Sequence, residues 1–125
     1  MPYLPQPRAT RRAPRTSFAE ATPVVLRCKD GRRVPGKLQV ISLSGGLVCL
    51  AQPLDQGSQV KVMFLTRKGS VLGAAEMLSP ISWGTQPFKF VKLYDDDERR
   101  LDAAIQLSVE QNRLQRVQMD NHRAW

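Results

Sequence analysis

Between residues 22 and 93 apolar positions recur with a period of two, in short runs separated by turn residues. Such alternation is the signature of half-buried strands. Thr22–Lys29 (TPVVLRCK) is rich in β-formers and ends on Asp30-Gly31, a strong hairpin dipeptide. Arg33–Ile41 follows as a second strand, and Pro35-Gly36 predicts an edge or bulge early in it. Ser42-Leu43-Ser44-Gly45-Gly46 reads as a turn before Leu47–Ala51. Pro53–Gly57 is a loop. In Ser58–Thr66, Val60, Val62 and Phe64 alternate with Gln59, Lys61 and Met63. Arg67-Lys68-Gly69 is a tight connection to Ser70–Leu78, where Gly73 predicts a bulge or bend. Ser82-Trp83-Gly84 turns again, and Gln86–Leu93 carries Phe88 and Phe90 two apart. About six short strands at a spacing of roughly ten residues predict a mainly β fold, a small antiparallel barrel or sandwich.

The flanks have a different texture. Residues 1–21 hold Pro2, Pro5, Pro7 and Pro14, which disfavour helix and interior strand, so this stretch reads as an extended arm. The barrel spans 22–94. After it, residues 95–118 read as a helix. Asp95, Asp96, Asp97 and Glu98 suit a helix N-terminus, and Asp95 with Glu98 has capping-box spacing. Leu101, Ala104, Ile105 and Ser108 form one narrow face; Leu107, Leu114 and Val117 suggest a second stripe. This helix packs on the barrel or pairs with a second copy, which makes a dimer possible. Residues 119–125 read as a frayed tail.

Charge sharpens this division. Of a formal net charge of +8, residues 1–33 carry +6, residues 34–92 carry +4 and residues 93–125 carry −2. The basic excess lies at the front, where it attracts phosphates or serves only to solvate a tail. The chain has one histidine, His122, in the tail, and its carboxylates cluster at the helix start, so neither metal binding nor acid–base catalysis is expected. The chain reads as a non-enzyme without a cofactor. Gly45-Gly46 lies between strands, which excludes a dinucleotide fingerprint, and no P-loop occurs. The first residues have no apolar signal core and no run is long enough to span a membrane. Cys28 and Cys49 are therefore expected as reduced, buried thiols of a cytoplasmic protein.

Two features remain for ligand chemistry. Arg11 and Arg15 stand four apart on the arm, and Arg8 and Arg12 share that spacing, so the arginine register is open. A guanidinium donates two hydrogen bonds to O6 and N7 of guanine, stacks on flat rings and pairs with phosphate. The other feature is the Ser/Gly turn, where a ligand can approach the backbone closely. Each has a plain alternative, a charged linker and ordinary turn chemistry.

In this order and at this distance the two features resemble the PilZ domain, a bacterial family of cyclic di-GMP receptors. Such domains begin with an RxxxR arm, continue into a six-stranded barrel with a (D/N)xSxxG turn after its second strand, and often end in a helix. Arg11-Arg12-Ala13-Pro14-Arg15 resembles the arm, Ser42–Leu47 the turn, and Pro87-Phe88-Lys89-Phe90-Val91 the closing strand, over about residues 8–112. The resemblance implies a barrel that binds cyclic di-GMP. Arg11 and Arg15 would be its main grips, Arg12 a phosphate contact, and Ser42, Ser44, Gly45 and Gly46 the opposite wall. Ligand would order the arm and change the surface shown to a protein partner.

The turn departs from the family pattern. With Ser42 as the motif serine and Gly45 as its glycine, Val40 stands at the Asp/Asn position; with Ser44, Ser42 stands there and Leu47 replaces glycine. The first register keeps both Ser and Gly. Val40 favours a second reading, a PilZ-like interaction module that has lost the nucleotide. A third reading, a barrel that binds RNA or DNA through its basic arm, is disfavoured by the scarcity of aromatics for base stacking.

Overall fold

The period-two alternation becomes an inside and an outside. The structure, a computed structural model, describes residues 15–17 and 22–123, with side chains up to residue 114. Strands β1 (Thr22–Cys28), β2 (Arg33–Ser42), β3 (Gly45–Leu50), β4 (Gln59–Thr66), β5 (Gly69–Met77) and β6 (Thr85–Leu93) precede one helix, α1 (Asp95–Arg123). Every strand pair is antiparallel, and the order β1-β2-β3-β6-β5-β4 closes on itself. The fold is the six-stranded antiparallel barrel expected, with a C-terminal helix. Closure pairs every described strand with two neighbours, which removes the long free edges of an open sheet.

The inward positions are the apolar half of each alternation. Val24 and Leu26, Val60, Val62 and Phe64, and Val71, Ala75 and Met77 are buried, while Val25, Lys61 and Leu72 between them face outward. Phe88 meets Phe90 edge-on, with ring centroids 5.4 Å apart. From α1, Leu101 and Ile105 join the barrel core, and the helix packs mainly on β5. Leu101, Ala104, Ile105 and Ser108 are all buried, as the narrow helical face requires. The second stripe does not pack on the barrel at Leu114, which is exposed. The helix reaches Arg123, beyond the end at 118 read from the sequence.

The helix start differs in detail from the expectation. The Glu98 amide, which a capping box would give to the Asp95 side chain, donates to the Tyr94 carbonyl. Tyr94 thus holds the cap position. Asp97 makes a tertiary contact instead: its carboxylate accepts the Leu72 amide at 3.0 Å and pairs with Arg100 at 3.1 Å. Arg100 Nε in turn donates to the Ser70 carbonyl at 2.7 Å. The acidic first turn is therefore stitched to β5.

The irregularities also fall elsewhere. Pairing is continuous through Pro35-Gly36, and the β2 bulge lies between Leu38 and Val40, with Gln39 the extra residue. Pro35 precedes the β2–β3 ladder, which begins at Gly36, so on that side its missing N–H breaks no bond. The second bulge lies opposite Ala74 and Ala75, with Val91 the extra residue on β6. Gly73 is its neighbour, and a Cβ there would meet Phe90 and Leu93 at 2.9 Å. At the first hairpin the Arg32 amide, followed by its guanidinium, holds the Asp30 carboxyl below its usual range. Cys28 and Cys49 are unpaired thiols, half-buried rather than buried.

One buried polar side chain ties a loop to the wall. Gln86, 1 % exposed, accepts the Leu54 amide at 2.8 Å and donates to the carbonyls of Leu54 (2.8 Å) and Leu78 (2.9 Å). All of its hydrogen-bonding groups are used, which is the condition for burying an amide. Gln86→Leu strands three of these partners. It should lower the unfolding free energy by roughly 2–4 kcal/mol, read from urea denaturation, whereas the exposed Gln52→Leu should change it by less than about 0.5 kcal/mol.

Candidate functional site

The arm meets the barrel at the end of β2. β1 starts at Thr22, opposite Leu38, and so leaves the last residues of β2 without a β1 partner. Thr16 takes that place. Its amide donates to the Ile41 carbonyl at 3.1 Å, and the Ile41 amide donates to the Thr16 carbonyl at 3.0 Å. This is a hydrogen-bonded antiparallel pair. Continued by one residue, its register sets Arg15 alongside Ser42 and Ser17 alongside Val40. Arg15 is exposed, Thr16 buried and Ser17 exposed.

The Ser/Gly segment is tighter than a five-residue turn. Ser42 is the last residue of β2 and Gly45 the first of β3, leaving Leu43-Ser44 as the turn. Ser42 closes it from inside. Its buried hydroxyl accepts the Ser44 amide at 3.2 Å, lies 2.9 Å from the Ser44 hydroxyl and reaches the Gly45 carbonyl at 3.2 Å. Ser44 is exposed at the tip, and its carbonyl accepts the Phe90 amide at 2.9 Å.

The two glycines serve barrel closure first. A Cβ on Gly45 would stand 2.2 Å from the Phe88 carbonyl oxygen and 2.8 Å from Lys89 Cα. On Gly46 it would stand 2.5 Å from the Val40 carbonyl oxygen. Only glycine lets β3 lie this close to β6 and β2.

Of the residues proposed from the sequence, Arg15, Ser42, Ser44, Gly45 and Gly46 therefore converge on one corner of the barrel. Arg11 and Arg12, like Arg8, lie outside the described residues. Val40 is half-buried and offers this corner no side-chain donor or acceptor. The sequence reading missed two polar residues of α1 that contact the arm, Ser108 and Asn112. Ser108 was visible only as a small residue on an apolar face. Among the described residues no group of three or more His, Cys, Asp or Glu side chains is arranged to hold a metal, and no helix is long and apolar enough to cross a membrane.

A search of curated proteins found no match. Among solved structures, the chain is similar to the PilZ domain of YcgR from Escherichia coli with c-di-GMP. Identity there is 20%, the TM-score is 0.71, and the match covers 85% of this chain and 96% of that one. It is similar to the c-di-GMP complex of MrkH from K. pneumonia at 20% identity and a TM-score of 0.67, over 82% of this chain and 54% of that one. The PilZ domain of CeSA from a cellulose-synthesizing bacterium matches at 18% identity and a TM-score of 0.55, over 78% of this chain and 97% of that one. The chain thus spans about half of the MrkH chain and nearly all of the isolated domains. At these identities the likeness concerns the fold. The PilZ domain family model, however, matches residues 9–107, most of the chain from the arm to the buried face of α1, and the chain belongs to the PilZ domain family.

Proposed function

We propose that this chain is a receptor for cyclic di-GMP that uses no catalysis. The observation that carries the reading is the Thr16–Ile41 bridge, which brings the arm to the Ser42–Gly46 corner. Arg15 stands beside that corner, and Arg11 and Arg12 precede it on the same arm. In this reading Arg11 and Arg15 grip the guanines and phosphates, and Arg12 adds a phosphate contact. Ser44 and the Gly45–Gly46 backbone receive the other side of the ligand. The c-di-GMP complexes of YcgR and MrkH lend support by analogy of fold. The arm would close over the ligand from an anchor at Thr16, changing the surface offered to a protein partner.

Val40 supports a second reading, an interaction module that no longer takes the nucleotide. A polar residue there would accept from a guanine edge or hold an arginine, and a valine does neither. Losing one charge-assisted contact costs on the order of 1.5–3 kcal/mol, or roughly ten- to a hundred-fold in affinity. The receptor reading therefore implies binding weaker than an Asp or Asn at this position would give.

Isothermal titration of the protein with cyclic di-GMP at moderate salt separates the two. Heat of binding at micromolar ligand is expected; absence of heat and of amide shift changes at high micromolar ligand removes the receptor reading. Where the protein binds, Arg15→Ala should abolish most of the affinity. Val40→Asn should tighten binding by about ten-fold or more. In a protein that does not bind, the same Val40→Asn exchange restoring uptake would support the second reading.

A further inference from the structure

The helix that fills the barrel mouth also holds the arm. Thr16 Oγ1 and Ser108 Oγ are 2.9 Å apart, and both residues are buried, at 6 % and 7 % exposure. Ser108 Oγ also donates to the Ser17 carbonyl at 3.2 Å. One turn further on, Asn112 Nδ2 donates to Thr16 Oγ1 at 3.3 Å and approaches the Ser17 carbonyl at 3.4 Å. One consistent proton arrangement has Asn112 give to Thr16, Thr16 to Ser108, and Ser108 to the Ser17 carbonyl; Thr16 Oγ1 also lies 3.3 Å from the Ser17 carbonyl, an alternative acceptor within the arm. Residues four apart share a helix face, so both α1 side chains reach the arm from one side. From the other side Ile41 holds the same residue by its backbone.

Buried hydroxyls are stable only when hydrogen-bonded. Thr16 has one acceptor within the arm, the Ser17 carbonyl, but its contacts with Ser108 and Asn112 exist only while arm and helix stay together, so the docked position of the arm depends energetically on α1. The contact lies where the helix leaves the barrel: Ile105 is fully buried and Leu114 is half exposed. Beside it, Arg15, Thr16, Ser17, Val109, Asn112 and Arg113 line a cleft of about 440 Å³, so Arg15 faces the helix across it.

From this junction we infer that Ser108 and Asn112 are positioning residues for the ligand. They hold Thr16 and Ser17 against β2 and thereby set Arg15 beside Ser42. The inference rests on the receptor reading and adds its route of transmission. Because the coupling of two sites is reciprocal, a ligand that closes the arm must also stabilise α1 around Ser108–Asn112. The part of the helix beyond the barrel then carries the signal.

The test compares the wild type with the Ser108→Ala/Asn112→Ala double variant. Alanine is the best helix former, so the exchange leaves α1 at least as helical. Amide hydrogen exchange at Thr16 and Ile41 should speed up by about ten-fold or more, with Val62 and Val71 unchanged. Cyclic di-GMP affinity, by titration calorimetry, should fall by roughly three- to thirty-fold. Ligand should slow amide exchange at residues 108–112 in the wild type and not in the variant. Unchanged exchange at Thr16 and Ile41 overturns the latch. Faster exchange with unchanged affinity overturns its role in ligand positioning. A wild-type protein that takes up no cyclic di-GMP refutes the receptor reading and the ligand role with it, and amide exchange in the free protein still decides the latch.

Discussion

The close approach of β3 to β6 is the constraint on which the rest depends. At Gly45 the two backbones come together with no room for a side chain, and Gly46 lies as tightly against β2. Without this approach the sheet would stay open, and β3 and β6 would each present a free edge. Closure confines the core to the barrel interior and leaves an opening that Leu101 and Ile105 fill. The helix is therefore held by the core, and its Ser108 and Asn112 come to rest over the end of β2. That end is free on its β1 side because β1 begins only at Thr22, and the arm occupies the vacant pairing position. The Ser42–Gly46 corner, the docked position of Thr16 and the seat of the helix thus follow from one packing requirement at two glycines.

This chain of dependence explains what was legible in the sequence. Strands were legible because a buried inner face imposes a period of two, and Val60, Val62 and Phe64 display it openly. The bulges were not. Gln39 and Val91 are the inserted residues, and neither is a glycine or proline; what fixes them is the pairing of a neighbouring strand distant in sequence. Pro35-Gly36, which carries the local bulge signal, stays in regular register because the ladder that would have missed the proline N–H starts one residue later. Asp95 and Glu98 have capping-box spacing, yet the cap forms at Tyr94, where β6 delivers the chain to the helix.

The candidate site was legible in halves. Arginine spacing and Ser/Gly content pointed to an arm and a turn, and the resemblance to a family joined them. The glycines' place in closure was not visible, since the atoms they must avoid belong to Phe88 and Lys89, far along the chain. Nor were Ser108 and Asn112 readable as arm contacts. A serine on an apolar helical face looks like a tolerated small residue, and an asparagine one turn later looks like surface. Their partners lie 91 to 96 positions earlier, and only the closed barrel brings them together.

If the arm clamps a ligand as proposed, its attachment at Thr16 alters the energetics of that step. Fixing one residue's backbone costs about 1–2 kcal/mol, and for the stretch around Thr16 folding already covers that cost. In the proposed receptor, ligand binding would then need less of its own energy to order that stretch. The same fact limits what ordering alone can signal, because residues already in place cannot report by becoming ordered. In the proposed receptor, a signal from this corner would travel as a change in contacts. The contacts that join the corner to a part of the molecule extending past the barrel are those of Thr16 and Ser17 with Ser108 and Asn112. In the proposed receptor, the polar junction under the arm is therefore the place where ligand affinity and the output surface would be set together.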